Sequence, residues 1–263
     1  FYFLNFKKID LMLIYILLGL IISLKAFYIL YLIILLPLFI FILEIKKNFF
    51  LSLQYFIKNK NFIIFLLMLF FVIGTYFINT GCLIYPLSIT CFDNFSWALP
   101  ASEAQRMNNW YELWSKAGAN PNFRVSNPEE YITNFNWVSN WIDSYFFNKV
   151  SDFIFGLLFT ILIFLLSFIR LKNRRIKLNL NKYTYFTFFI LVILLIEWFY
   201  NHPALRYGGY CLIAIILFIP TSVYLSTFMI EMKKFTNLVF ILILITALIF
   251  VGRNLARIKK EIH

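Results

Sequence analysis

The apolar residues of this chain are grouped in blocks of about 16 to 20 residues, separated by short polar segments. Blocks of this length match the hydrocarbon core of a bilayer, which is about 30 Å thick. They show neither the amphipathic spacing of a soluble helix nor the alternation of a membrane barrel strand. Because backbone groups in lipid must be hydrogen-bonded within their own segment, the pattern predicts an all-α, polytopic integral membrane protein.

We assign about seven transmembrane helices to these blocks. The first two are separated only by Lys25 and Ala26. They therefore form either a tight helical hairpin or one long broken segment, and the number of spans carries an error of about one. The predicted spans are Ile9 to Leu24, Phe27 to Leu43, Phe62 to Asn79, Phe153 to Ile169, Thr184 to Tyr200, Gly209 to Ile230 and Asn237 to Val251.

Composition excludes a water-soluble protein. The chain is 62% apolar and only 14% charged, and its mean hydropathy is +0.81. A soluble domain does not tolerate these values. We divide the chain into three transmembrane helices (residues 1–79), an external loop with interfacial helices (80–151), four more transmembrane helices (152–252) and an external tail (253–263).

The distribution of basic residues predicts the orientation, because Lys and Arg in short loops stay in the cytoplasm. The long loop holds four basic residues and a larger number of acidic ones, and five of the six tryptophans lie in it. We therefore place it outside, with the aromatic belt. The basic tail after Arg253 would also be outside, against the rule. The 14 basic residues assigned to the cytoplasm are Lys7, Lys8, Lys46, Lys47, Lys58, Lys60, Arg170, Lys172, Arg174, Arg175, Lys177, Lys182, Lys233 and Lys234.

The net charge of +12 does not indicate a nucleic-acid partner. The basic residues follow the topology and form no Arg-rich module. The chain begins at Phe1, without an initiator Met or a signal-peptide pattern. We expect it to be a fragment of a longer protein.

The cysteines and histidines predict no metal site and no cofactor. Cys82 and Cys91 lie nine positions apart at the start of the external loop, where an oxidising compartment permits a disulfide; we expect them to be bridged, with a pair of free thiols as the alternative. Cys211 lies within a span and is a small apolar residue in this interpretation. With only His202 and His263 besides, no ligand spacing for zinc is present.

Two helices are predicted in the external loop. The first, Ala101 to Ala117, carries an aromatic stripe typical of an interfacial helix. The second has Asn127 as N-cap, Pro128 at its first position and an apolar series that continues to Tyr145. The stripes indicate either packing against the membrane and the chain or stacking of sugar rings. The first stripe consists of Met107, Trp110, Tyr111 and Trp114.

Polar residues cluster where the fifth span ends and the sixth begins. Glu197 and Asn201 share a helix face at i and i+4, and His202 and Arg206 follow within the run IEWFYNHPALRYGGY. Ionisable groups at this depth are costly and suggest function. Arg206 either forms an ion pair with Glu197 that holds the hairpin, or binds a phosphate.

The segment Asn79 to Gly118 resembles a family of poorly characterised bacterial membrane proteins from cell-surface polysaccharide gene clusters. The later HPALRYGGY and GRNLARIKKE also resemble that family, which is similar to the GT-C membrane glycosyltransferases. The residues that carry the resemblance are Gly81, Tyr85, Pro86, Trp97, Pro100, Glu103, Trp110 and Trp114.

The resemblance implies a glycosyltransferase of the bacterial inner membrane with a periplasmic loop. Its partners would be membrane lipid, a polyprenyl-phosphate-linked sugar donor and a glycan acceptor. A carboxylate would act as general base and a cation would stabilise the leaving phosphate. The family's acidic motif lies in a first external loop that this chain lacks, so the catalytic residue stays unassigned.

Five residues are predicted to contact the substrate: Arg206, His202, Glu197, Glu103 and Arg106. Arg206 and His202 are the phosphate-side candidates. An O-antigen polymerase or ligase is an alternative, in which Arg106 and Arg124 would serve. A transporter or flippase is a further alternative, although only Pro37 and Pro220 interrupt the spans.

Overall fold

The computed structural model describes residues 8–120, 123–169 and 182–225, together with residues 240, 244, 247–248, 251–252, 255 and 258–259. Over these residues the chain is helical and contains no strand; Cys82 and Cys91 form an isolated antiparallel bridge. The predicted all-α class is confirmed. Most of the predicted seventh span, the loop 170–181 and most of the basic tail lie outside the described residues.

The first part of the chain forms four α-helices: α1 (Lys8–Leu24), α2 (Leu35–Lys46), α3 (Phe49–Ile57) and α4 (Lys60–Thr80). A 3-10 stretch, Ala26–Ile34, leads directly into α2. Asn48 caps α3, since its side-chain oxygen accepts a hydrogen bond from the Leu51 N–H at 3.2 Å. Gly81 ends α4 with a φ of +75°, a conformation that favours glycine.

The middle of the chain contains α5 (Ala101–Lys116), α6 (Pro128–Ile132) and α7 (Val138–Trp141). A π-helical stretch, Ile142–Val150, joins α7 to α8 (Ser151–Ile169). The helix α5 ends one residue before the predicted limit. Its aromatic stripe is not its buried face, because the buried positions are Ala104, Ser115 and Lys116.

The second loop helix begins as predicted, with Asn127 at the N-cap position and Pro128 first, but the prediction of its extent is wrong. It ends at Ile132, because the Glu130 carbonyl accepts hydrogen bonds from the side chains of Thr133 (2.7 Å) and Asn136 (3.0 Å). The Asn127 side chain makes no capping bond. Of the apolar residues after this break, Val138 lies in α7, and Ile142 and Tyr145 lie in the π-helical stretch that leads into α8.

The last described helices are α9 (Lys182–Asn201), α10 (Leu205–Leu212) and α11 (Ile219–Leu225), the latter two joined by a π-helical stretch, Ile213–Phe218. Within the described residues, five helices are long and apolar enough to cross a membrane. A shorter apolar helix, Leu13–Leu24, covers most of the predicted first span. The five long helices are Phe27–Lys46, Lys60–Thr80, Val138–Ile163, Lys182–Asn201 and Leu205–Tyr224.

The helices α1 and α2 form a hairpin rather than one broken segment. Tyr15 on α1 and Phe39 on α2 both contact the ring of Phe56, at centroid distances of 5.4 and 5.8 Å. Lys25, at the bend, is extended. The hairpin brings Lys25 to the end of the bundle where α9 meets α10.

The two ends of the bundle differ in chemistry. At one end, which we call the basic end, Glu44 forms a salt bridge with Lys182 and accepts a hydrogen bond from Tyr183, and Lys46 follows two positions after Glu44. At the other end lie Lys25, the turn between α9 and α10, and the tryptophans of α5 and α7. The helices Phe27–Lys46 and α9 therefore run in opposite directions.

Candidate functional site

The turn between α9 and α10 is held by indole hydrogen bonds. Trp198 Nε1 donates to the Ala204 carbonyl at 2.8 Å, and Trp141 Nε1 donates to the Pro203 carbonyl at 3.0 Å. Both tryptophans are buried. Because a buried N–H must find an acceptor, these bonds satisfy the indoles and fix the turn together.

Two further contacts leave this turn little freedom. The Leu205 N–H donates to the hydroxyl of Tyr145 at 3.0 Å. A Cβ on Gly208 would lie 2.1 Å from the indole of Trp198. Only glycine permits this close approach, so α9 and α10 pack tightly just below the turn.

Arg206 is presented by this fixed turn and remains exposed. Its Cζ lies 3.9 Å from the centroid of Trp114 and 5.1 Å from that of Tyr207. One of its N–H groups donates to the Tyr207 hydroxyl at 3.2 Å. A guanidinium has five donors, so most of the fork still faces outward.

Lys25 adds a second cation beside Arg206. Its Nζ donates to the Arg206 carbonyl at 3.2 Å and lies 4.4 Å from the centroid of Tyr207. The Tyr28 hydroxyl donates to the same carbonyl at 2.6 Å. Two helical segments from distant parts of the sequence therefore hold two positive charges around one buried aromatic ring. We call the cluster of Lys25, Trp114, His202, Arg206 and Tyr207 the mouth.

The mouth lacks a counter-charge among the described residues, where neither Lys25 nor Arg206 forms a salt bridge. Burial, and then repulsion by Arg206, lower the pKa of the Lys25 ammonium. Two like charges that repel each other in this way raise the free energy of the folded state unless an anion neutralises them. The arrangement can therefore bind a phosphate or carboxylate.

His202 contributes a neutral ring to the mouth. It packs against Phe27 and Tyr207, with centroid distances of 5.5 and 5.4 Å. Burial, and to a lesser extent the charge of Lys116, lower its pKa to about 4. Its Nδ1 is buried and has no hydrogen-bond partner among the described residues. A neutral imidazole here can accept or donate one hydrogen bond.

The ion pair between Glu197 and Arg206, one of the two alternatives for Arg206, is not formed. Glu197 instead accepts a hydrogen bond from Asn201 at 2.9 Å, the i, i+4 contact that their shared face allows. Arg206 lies on α10 and turns toward Trp114 on α5. The Arg206 guanidinium therefore does not have Glu197 as the partner that the ion-pair alternative required.

Glu103 and Arg106 lie apart from the mouth. They form an exposed salt bridge of 2.5 Å with each other on α5. Arg106 lies eight positions before Trp114, about 12 Å along the helix axis. Cys82 and Cys91 form a disulfide with an S–S distance of 2.03 Å near the start of the same loop. In the described part of the chain, no group of three His, Cys, Asp or Glu residues could hold a metal ion.

Sequence reasoning missed Lys25 and Lys116. The Lys116 side chain is 1% exposed, and its Nζ contacts Glu112 at 2.5 Å and the Ile132 carbonyl at 3.0 Å. It also lies 5.3 Å from the ring centroids of Trp137 and Tyr200. Its place at the end of an aromatic helix, four positions after Glu112, was the available signal.

Fold and site define a class: an all-helical protein with, in its described part, five helices long enough to cross a membrane and a cationic, aromatic mouth at one end of the bundle. The chain belongs to the family described as a domain of unknown function, DUF8201, whose profile matches residues 2–213. All five mouth residues fall within that match. Neither a curated protein nor a solved structure matches the chain.

Proposed function

We propose that this chain is a multi-pass protein of the bacterial inner membrane, with α5 and the mouth on the outer side. The support is the apolar surface of the long helices. On α4, for example, Phe70 and Phe71 are 69% and 67% exposed. A surface of this kind is stable in lipid and aggregates in water. The separation of the Lys-rich loops from the tryptophans at opposite ends supports the orientation.

We infer further that the mouth binds the phosphate of a polyprenyl-phosphate-linked sugar. One observation carries this proposal: Lys25 and Arg206 meet around Tyr207 without a carboxylate partner in the described residues. They lie at the ends of spans, at the depth of lipid headgroups, where a lipid-borne phosphate resides. The Arg206 fork matches two phosphate oxygens, and Lys25 supplies a point charge.

The reaction we propose is transfer of the sugar to a glycan acceptor on the outer face, as in GT-C glycosyltransferases. The resemblance of the segment from Asn79 to Gly118 and of the HPALRYGGY run supports this reaction class. When the sugar leaves, negative charge develops on the lipid phosphate. Arg206 and Lys25 would stabilise that charge in place of water.

Binding of polyprenyl phosphate to the full chain in nanodiscs tests the proposal. Lys25→Gln removes a charge, and Arg206→Lys keeps the charge but loses the planar fork. We expect each substitution to weaken binding about tenfold, since a charge-assisted hydrogen bond contributes about 1.5 kcal/mol or more. The abundance of the protein in the membrane should not change.

Arg106→Lys and Arg124→Lys separate this proposal from the polymerase or ligase alternative. Both arginines lie in the loop outside the mouth, and Arg106 already has Glu103 as a partner. Retained binding in these variants, with loss in Arg206→Lys, supports the proposal. Loss in the loop variants alone, with Arg206→Lys intact, would overturn it in favour of loop-arginine recognition.

A further inference from the structure

The short helix α3 at the basic end is packed on one side only. Ser52 and Phe56, one turn apart, are buried against the bundle. On the other side Phe50 and Ile57 are exposed, Phe50 by 79%. A helix with a packed side and an exposed apolar side fits the plane of a membrane interface.

A cavity of ≈ 290 Å³ lies along α3. Four of its lining residues occur at i, i+3, i+4 and i+7, so they form one face of the helix. The fifth comes from the end of α2, and its Nζ lies 5.2 Å from the centroid of the Tyr55 ring. The lining residues are Lys46, Leu51, Gln54, Tyr55 and Lys58.

The lining of the cavity is cationic and includes one aliphatic side chain. It combines two ammonium groups, an amide and a phenol with the side chain of Leu51, and none of these five residues is acidic. Glu44, the acidic residue nearest to Lys46 in sequence, is already bonded to Lys182 and Tyr183. The chemistry therefore favours an anion that carries apolar groups.

We propose that this cavity binds the headgroup of an anionic glycerophospholipid, with Lys46 and Lys58 on the phosphate and Gln54 on the glycerol. Leu51 lines the cavity and is also 53% exposed, so the site opens onto the apolar side of α3. Acyl chains of a lipid bound in the cavity could therefore run along the exposed ring of Phe50. A water-soluble phosphate has no acyl chains and would make no use of this apolar surface. The site lies at the opposite end of the bundle from the mouth and does not depend on the substrate bound there.

Matched double variants test this site. Lys46→Gln/Lys58→Gln removes both cavity lysines, whereas Lys47→Gln/Lys60→Gln removes two neighbouring lysines outside the cavity. Each double variant removes one positive charge near the α2–α3 connection and one near the α3–α4 connection. Both variants should therefore affect insertion into the membrane to the same degree. The measurement is binding of phosphatidylglycerol to the full chain in phosphatidylcholine nanodiscs.

We expect the cavity variant to bind phosphatidylglycerol about 25-fold more weakly, because each lysine contributes about fivefold to binding at an anionic surface. The binding of the control variant should change less than about threefold. Equal losses in both variants would show general surface attraction and overturn the site. Competition by soluble glycerol phosphate at the same concentration as the lipid would overturn the lipid assignment. Unchanged binding of phosphatidylglycerol to the cavity variant would overturn the site.

Discussion

Lys116→Met tests whether the buried lysine joins the loop to the spans. The substitution keeps most of the length of the side chain and removes its charge. It breaks the salt bridge to Glu112 at 2.5 Å and the hydrogen bond to the Ile132 carbonyl at 3.0 Å. It also removes the two cation–π contacts with Trp137 and Tyr200.

The cost follows from these contacts. An unsatisfied carbonyl costs about 1–3 kcal/mol, and each desolvated cation–π contact contributes about 1 kcal/mol. Glu112 is 21% exposed and can turn toward water, which limits the penalty for the unpaired carboxylate. We expect a loss of about 3 kcal/mol in the free energy of unfolding. For a chain of this size that lowers the Tm by about 6–12 °C.

Thermal unfolding of the purified protein, followed by tryptophan fluorescence, measures this loss. Lys149→Met is the matched control, because Lys149 lies in the same loop and is exposed. It should change the Tm by less than about 2 °C. The double variant Glu112→Leu/Lys116→Met should recover part of the loss, since it leaves no unpaired carboxylate. A Lys116→Met protein as stable as the wild type would refute the structural role.

Three further predictions concern the turn, its histidine and the orientation. Gly208→Ala should displace Trp198 and lower the Tm, since the added Cβ would lie 2.1 Å from the indole. Gly74→Ala is the control and should have a far smaller effect, because its Cβ would meet no atom within 4 Å. Because the pKa of His202 is lowered to about 4, the unfolded state binds its proton first as the pH falls below about 6.5. The free energy of unfolding should therefore fall between about pH 6.5 and 4, and His202→Phe should flatten that part of a pH titration. A cysteine at Ser102 should react with a membrane-impermeant thiol reagent in intact cells and one at Gln54 should not; the reverse pattern would invert the topology.

The order of the described apolar helices, and the limits of two of them, could be predicted from the sequence. Helix formation in a span depends on the length of an apolar block and on hydrogen bonds within it, and both are local properties. For this reason α4 and α9 lie within about two residues of their predicted limits. The contact between Glu197 and Asn201 follows in the same way from positions one turn apart.

Local signals were also present where the prediction of the second loop helix was wrong. Thr133 and Asn136 are residue types whose side chains compete for backbone carbonyls, and both bond to Glu130. Apolar periodicity takes no account of such side-chain bonds. The helix therefore ends earlier than its apolar pattern indicates.

Only the tertiary structure decided what Arg206 contacts. The choice between Glu197 and another partner depends on which helices are neighbours, and no periodicity in the chain encodes that. The hairpin of α1 and α2 brings Lys25 to Arg206 across 181 positions, and α5 brings Trp114 over the guanidinium. The sequence by itself determined where most of the apolar helices lie, because helix formation there depends on local apolar length. The mouth is a product of long-range packing, in which charges far apart in sequence meet because apolar surfaces elsewhere are buried.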